Sequence, residues 1–296
     1  VVDEPMSVKF SILEKSIATG NAPMVFSNLE ESPGHRAAIN ILTRQRLCEY
    51  FGVAPGELID ILAWAMENPS EPVIVPKGES PVMDNTMEGV DLGRLPIPWH
   101  YPEDAGRYQS ASIIIAEYGG ERNTSFHRQL LKDNGRTATR LVPRHLRTMA
   151  ESAENDGQEI PIVVVNGQDH VVILAGAMSF DEPLDELRVA AALHERLYNS
   201  PLRVVQMSNG LISPADAEYA MEARITLDRG SEGPYVDITG TVDDVRMEPV
   251  IEYDKIHHRD DPVFHALIPA GLEHMTLMGM PRAPTCLIYI SPSPRD

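Results

Sequence analysis

The chain has 296 residues, 43% hydrophobic and 23% charged, with a net charge of -19, which argues against nucleic acid and anionic membrane surfaces as partners because phosphates would be repelled. Cys48 and Cys286 are the two cysteines, too few for a disulfide framework or a cysteine zinc site. No apolar run approaches the roughly 18 residues of a membrane helix, and VVDEPMSVKF lacks the basic and apolar regions of a signal peptide, so a cytoplasmic protein is expected.

In chain order, residues 36–68 predict two helices. In GHRAAINILTRQRLCEYFGV, Ala38, Ile41, Leu42, Leu47 and Phe51 follow a helical period, and APGELIDILAWAM repeats it with Pro55 near its start. EPVIVPKG predicts a short strand. The turn-rich MEGVDLGRLPIPWHYPEDAGRY then marks a boundary between an α/β domain over 1–108 and a second domain over 109–284. SASIIIAEYGG, NTSFHRQLLKDNG and RTATRLV predict three strands joined by Gly-Gly and Asn-Gly turns. A helix is expected from Pro143, then strands over IPIVVVNG and HVVILAGAM. PLDELRVAAALHERL predicts a helix, and LRVVQMS, AEYAMEARITL and DITGTVDDVRMEPVIEYDKI predict strands. The middle of the chain thus reads as a mainly antiparallel sheet or barrel decorated with helices.

Several residues do not fit a plain fold. Glu186 continues the apolar stripe of Val189, Ala190, Leu193 and Leu197, where an unpaired carboxylate is costly. The plain alternative is a first-turn acid facing solvent and favouring the helix dipole. His145, in the first turn after Pro143, is placed to help bind an anion at a helix N-terminus, or is a surface residue. Asn123 and Arg128 lie an odd number of residues apart, on opposite faces of an ideal strand, so one site needs a bulge or a strand that wraps around its ligand. Glu232 and Asp237 flank a Gly-Pro turn that lets both carboxylates face one cavity; a charged surface loop is the alternative. His257 and His258 point to opposite faces of a strand, poor geometry for a metal, and with His265 read as structural.

In order and spacing, NTSFHR, RLVPRHLRTMAE, ILAGAM, LDELRVAAAL and SEGPYVDITG resemble the UbiD family of non-oxidative decarboxylases, from about Asp91 to about Arg282. The resemblance implies an α/β N-terminal domain followed by a flavin-binding split barrel, α+β overall, and prenylated FMN as cofactor. It implies that Asn123, His145 and Glu186 bind Mn²⁺ or Mg²⁺, which anchors the flavin phosphate; an amide, an imidazole and a carboxylate suit such an ion. Asp185 is the neighbouring alternative to Glu186. It further implies that Ser125, Phe126, His127, Arg128 and Arg144 contact the cofactor. Ala175, Gly176 and Met178 would lie against the flavin and a monovalent cation such as K⁺. Arg128, Glu232 and Asp237 would form the catalytic trio: arginine on the substrate carboxylate, Glu232 holding it, Asp237 delivering a proton. Val236 stands where the family usually has glycine.

The implied activity is decarboxylation of an α,β-unsaturated or aromatic acid. HYPEDAGRY and LIPAGLEHMTLMGMPR look like archaeal members, some of which act on trans-anhydromevalonate 5-phosphate; a polyprenyl-hydroxybenzoate or other aromatic acid is the competing substrate. The implied partners are a small carboxylic acid, a flavin prenyltransferase as cofactor supplier and further copies of the chain in a homo-oligomer. A split-barrel flavin reductase and a non-catalytic flavin-binding protein are the other classes; Arg128 and Asp237 favour the enzyme. Met6 reads as a natural start. CLIYISPSPRD resembles translated sequencing adapter, so residues 285–296 are expected to form no packed element, and the family's C-terminal domain is expected to be missing from this chain.

Overall fold

A computed structural model describes residues 1–180 and 183–283. Its first half contains α1 (Ser11–Ala18), β1 (Met24–Phe26), β2 (Arg36–Ile39), α2 (Arg44–Phe51), α3 (Pro55–Glu67), β3 (Val73–Val75), β4 (Asn85–Thr86), β5 (Tyr108–Gln109), β6 (Ile113–Tyr118), β7 (Glu121–Phe126), β8 (Gln129–Leu131) and β9 (Arg136–Thr139). It continues with α4 (His145–Asn155), β10 (Ile160–Asn166), α5 (His170–Gly176), α6 (Glu186–Tyr198), β11 (Arg203–Gln206), β12 (Ile212–Pro214), β13 (Tyr219–Glu232), β14 (Tyr235–Val236), β15 (Val242–Asp243), β16 (Arg246–His258), β17 (Val263–His265) and α7 (Leu272–Gly279).

The fold is mixed, with helices around mainly antiparallel sheets. The largest sheet has nine strands in the order β5-β8-β9-β16-β13-β10-β6-β7, with β4 added on β16. Its central strands are buried on both faces, and their alternation feeds two cores. Ile113, Ile115, Val163 and Val165 pack with α3, α5 and α6. Ile114, Ala116, Ile162 and Val164 pack on the other face with Leu146 and Met149 of α4. Leu92, Leu95 and Ile97, from the turn-rich stretch, are fully buried in this second core. The two-residue Gly119-Gly120 turn, both at positive φ, sets the β6–β7 register with Tyr118 opposite Glu121. Two register shifts in β13, at Glu222/Ala223 and Ile225/Arg229, precede the end that carries Glu232.

Three local expectations are corrected. The helix expected from residue 36 is strand β2 as far as Ile39, which pairs with β1 and β17. Asn40 turns the chain at φ 55, and Thr43 caps α2 by accepting the Arg46 N–H at 3.2 Å. HVVILAGAM is not a strand: His170–Gly176 is α5, capped by Asp169 through the Val171 N–H at 2.9 Å. Residues 171–176 are all buried, so no amphipathic period distinguishes helix from strand. NTSFHRQLLKDNG is two strands, because the chain leaves β6 after Phe126 and β8 pairs instead with β5 and β9. The tail expected over 285–296 lies outside the described residues.

Candidate active site

A cavity of about 560 Å³ opens between β7, the start of α4, the segment after α5, the β14–β15 hairpin and α7. Asn123, Ser125, Phe126, His127, Arg128, Arg144, His145, Gly176, Met178, Glu186 and Asp237 all line it. Ala175 does not; it is buried in the core beneath. Glu232 stands behind Arg128, fully buried. The break between β7 and β8 resolves the odd spacing of Asn123 and Arg128: the first is on β7 and the second on the link to β8. At Gly176 a Cβ would lie 2.9 Å from the Ile113 Cδ1, which would have to shift, and in ordinary contact 3.5 Å from the Thr124 carbonyl, so glycine gives α5 a close but not obligatory approach to the sheet.

On one wall, Glu186 is the first residue of α6 and is only 4% exposed. Its carboxylate accepts the Asn123 Nδ2–H at 2.9 Å and the Thr124 N–H at 2.7 Å. Asp185 turns away, capping the helix through Leu187 and pairing with Arg122 at 2.8 Å. Burial pushes the Glu186 carboxyl up to about 8, and among the described residues no cation pairs with it. Next to it, Ser125 Oγ lies 2.6 Å from Asn123 Oδ1 and 2.9 Å from His127 Nε2. His127 Nδ1 faces the Arg140 carbonyl at 3.2 Å. Burial holds His127 down to about 4, so the ring is neutral, and its proton belongs on Nδ1 to meet that carbonyl. Nε2 is then an acceptor, and the single Ser125 hydroxyl proton cannot satisfy both Nε2 and Asn123 Oδ1. Turning the Asn123 amide over satisfies the chain, with the amide N–H donating to Ser125 and Ser125 to His127. That turn sets the Asn123 and Glu186 oxygens face to face, where the proton of a carboxyl raised to about 8 bridges them until a divalent cation takes its place. His145, half-buried at the first position of α4, lines the same cavity with an imidazole. The donor set therefore fits Mn²⁺ or Mg²⁺.

On the facing wall, the Arg128 guanidinium grips Glu232 with two bonds, Nε to Oε1 at 2.8 Å and Nη2 to Oε2 at 3.0 Å. Nη2 also donates to Asp243 Oδ2 at 2.8 Å, and the guanidinium sits 4.4 Å from the Tyr235 ring centre. Burial opposes the charge on Arg128, yet Glu232 and Asp243 raise its pKa above the usual arginine value. Tyr108 donates to Glu232 Oε1 at 3.2 Å and accepts the Gly233 N–H at 3.1 Å. Gly233 has φ 91, and a Cβ there would lie 2.7 Å from the Asp244 carbonyl, so this turn requires glycine.

Asp237 opens the turn between β14 and β15, closed by the Asp237 N–H on the Thr241 carbonyl at 2.9 Å. Its half-buried side chain faces the cavity and makes no hydrogen bond among the described residues. Val236 avoids the left-handed region, so a β-branched residue fits. Its N–H is held by the buried Asp104 at 2.8 Å. Burial raises Asp104 to about 6.

Sequence reasoning missed Asp104, Tyr108, Tyr235, Asp243 and, from α7 and the turn after it, His274 and Arg282. Tyr235 lies inside SEGPYVDITG, Asp104 and Tyr108 inside HYPEDAGRY, and His274 and Arg282 inside LIPAGLEHMTLMGMPR, where they could have been found; Asp243 lies just past SEGPYVDITG. His257, His258 and His265 do not line the cavity; His257 pairs with Glu222 at 3.0 Å and His265 with Glu273 at 3.1 Å.

One cavity of this antiparallel sheet thus carries an arginine–acid cluster on one wall and an amide, an imidazole and a carboxyl on the other. The family model described as "UbiD: 3-octaprenyl-4-hydroxybenzoate carboxy-lyase Rift-related domain" matches residues 73–272, and the chain belongs to this family. It is 36% identical over 286 residues to the anhydromevalonate phosphate decarboxylase of Methanosarcina mazei, covering 96% of this chain and 65% of the relative. Identity to the protein of that name from Methanocaldococcus jannaschii is 34% over 264 residues, 88% of this chain and 61% of the relative. The chain thus spans less than two thirds of the length of these relatives. Among solved structures, the UbiD-class enzyme HmfF from Pelotomaculum thermopropionicum in complex with FMN superposes with a TM-score of 0.92 at 29% identity, covering 98% of this chain and 66% of that one. An evolved dimeric form of HmfF in complex with prFMN gives 0.91 at 29% identity, over 97% and 68%.

Proposed function

We propose that the protein is a prenylated-FMN-dependent decarboxylase whose substrate is anhydromevalonate phosphate. The observation that carries this reading is the joint lining of one cavity by the Arg128 cluster, with Asp237, and by Asn123, His145 and Glu186. The flavin complexes of HmfF and the decarboxylase relatives support it.

On this reading residues 109–284 form the flavin-binding split barrel, and 1–108 the α/β domain beside it. Asn123, His145 and Glu186 would hold Mn²⁺ or Mg²⁺, whose charge would offset that of the flavin phosphate. Ser125, Phe126, His127, Arg144, Gly176 and Met178 would line the cofactor, and residues 175–178 would help hold K⁺. Bound prenylated FMN supplies the electron sink for loss of CO₂. Arg128 pairs with the substrate carboxylate, and Glu232 fixes the guanidinium plane so that carboxylate is oriented before reaction. The unengaged Asp237 carboxyl delivers a proton to the carbon that CO₂ vacates and regains one from solvent. Phe126, Val142, Phe180, Leu267 and Leu277 supply an apolar lining that thins water around these charges. The protein works in the cytoplasm as a homo-oligomer and takes its cofactor from a flavin prenyltransferase.

The test is expression of the full-length gene with a flavin prenyltransferase, mass spectrometry of the bound cofactor, and CO₂ release from anhydromevalonate phosphate. Prenylated FMN with CO₂ release is expected. Prenylated FMN bound without CO₂ release contradicts the reading.

A further inference from the structure

The guanidinium of Arg128 has two forks for carboxylates: a side fork, Nε with Nη2, and an end fork, Nη1 with Nη2. Glu232 fills the side fork. Nη2 spends its remaining proton on Asp243, and Nη1 makes no hydrogen bond among the described residues. The end fork is therefore half-occupied. Asp243 and Arg128 both line the cavity, whereas Glu232 does not. The two acids are also unequally held: the Glu232 side chain is 0% exposed and the Asp243 side chain 24%. Asp243 has a second cation on its outer side, Arg246 Nη1, 2.7 Å from Oδ1. It sits on β15, opposite Tyr235 in a two-pair hairpin, so the element that carries it is short.

We propose that Asp243 is a built-in competitor for the substrate carboxylate, occupying one arm of the Arg128 end fork until substrate displaces it toward Arg246. The inference rests on the carboxylic-acid substrate proposed above. A substrate carboxylate that takes the end fork in bidentate fashion needs the Nη2 proton now given to Asp243. Glu232 cannot yield, because it is buried and, among the described residues, has no other cation. Asp243 can, because Arg246 keeps it paired. Displacement also avoids three carboxylates around one guanidinium. Asp243 thus sets how tightly a carboxylate must bind to enter, and so discriminates against weak acids and neutral analogues.

The experiment uses the full-length protein carrying its flavin, as wild type, Asp243→Asn, Asp243→Ala and Arg246→Ala. KM is measured for anhydromevalonate phosphate. Kd is measured by calorimetry for 5-phosphomevalonate, a saturated carboxylate that cannot react. Loss of one partly exposed ion pair corresponds to about a 2- to 5-fold change. Asp243→Asn and Asp243→Ala are expected to lower KM and Kd by about that factor, with flavin absorbance unchanged. Arg246→Ala is expected to raise both, because Asp243 then has Arg128 alone. A merely supporting Asp243 predicts weaker binding in all three variants, and that result overturns the proposal. Wild type that releases no CO₂ contradicts the decarboxylase reading, while the Kd comparison still decides the competition. Absence of 5-phosphomevalonate binding in wild type and variants alike counts against both.

Discussion

The two walls of the cavity treat buried carboxylates in opposite ways. Glu232 is fully buried and compensated: Arg128 grips both its oxygens and Tyr108 adds a third bond. Glu186 is almost as buried, yet its partners are an amide and a backbone N–H, and its carboxyl is pushed up to about 8. Depth alone therefore does not decide how a buried carboxyl group is held; its neighbours do. On the function proposed above, the first wall is an assembled ion pair that meets a substrate anion, and the second a set of donors that a divalent cation completes.

The largest expected effect breaks the compensated wall. Arg128→Ala leaves Glu232 buried without its cation, a change that costs about 3–5 kcal/mol for a buried pair. Denaturant unfolding of the full-length protein should report a loss of that order, and CO₂ release should vanish. Unchanged stability would mean that Glu232 is satisfied by Tyr108 alone. Next, Asp237→Asn should retain flavin by absorbance and lower kcat by about 10²–10⁴, the range of one general-acid step. Near-normal turnover would remove Asp237 from proton delivery. On the opposite wall, Glu186→Gln replaces a buried acid, raised to about 8 and so largely uncharged near neutral pH without a metal, with a neutral amide of nearly the same shape. The metal-free protein should keep or slightly raise its melting temperature, while Mn²⁺ content by elemental analysis falls to background. A large drop in melting temperature would show that Glu186 serves the fold.

The smallest effect concerns a third acid, away from the cavity. Burial pushes Glu222 up, but His257, Ser208, the Asn209 N–H and Lys255 hold it down to about 2. A carboxyl depressed on folding contributes stability above its unfolded pKa, and that contribution fades as pH falls through the folded value. The stability gap between wild type and Glu222→Gln should be constant above about pH 5 and shrink from there toward about pH 2. A gap that grows on acidification would contradict the pairing.

Some of this was legible in the sequence for definite physical reasons. Glu186 stood out because a carboxylate continued the apolar stripe of α6, and stripes are read one turn at a time. Glu232 and Asp237 stood out because Gly233-Pro234 forces a turn between them. Asn123 and Arg128 looked incompatible, since a break between β7 and β8 leaves no mark in an alternating pattern. HVVILAGAM misled because a helix buried on every side shows no period. Residues 36–39 misled because strand β2 depends on β17, more than 200 positions later. Asp243 and Tyr108 reach the site only through sheet register and the hairpin, which no local signal encodes.

The central claim is that both walls serve one decarboxylation, with Asp237 supplying the proton. The most direct measurement is turnover of anhydromevalonate phosphate by the flavin-loaded full-length protein in D₂O, with product analysed by mass spectrometry. One solvent deuterium per CO₂ released is predicted for wild type, with that product lost in parallel with CO₂ in Asp237→Asn. Product free of solvent deuterium, or undiminished labelling and turnover in Asp237→Asn, would contradict the account.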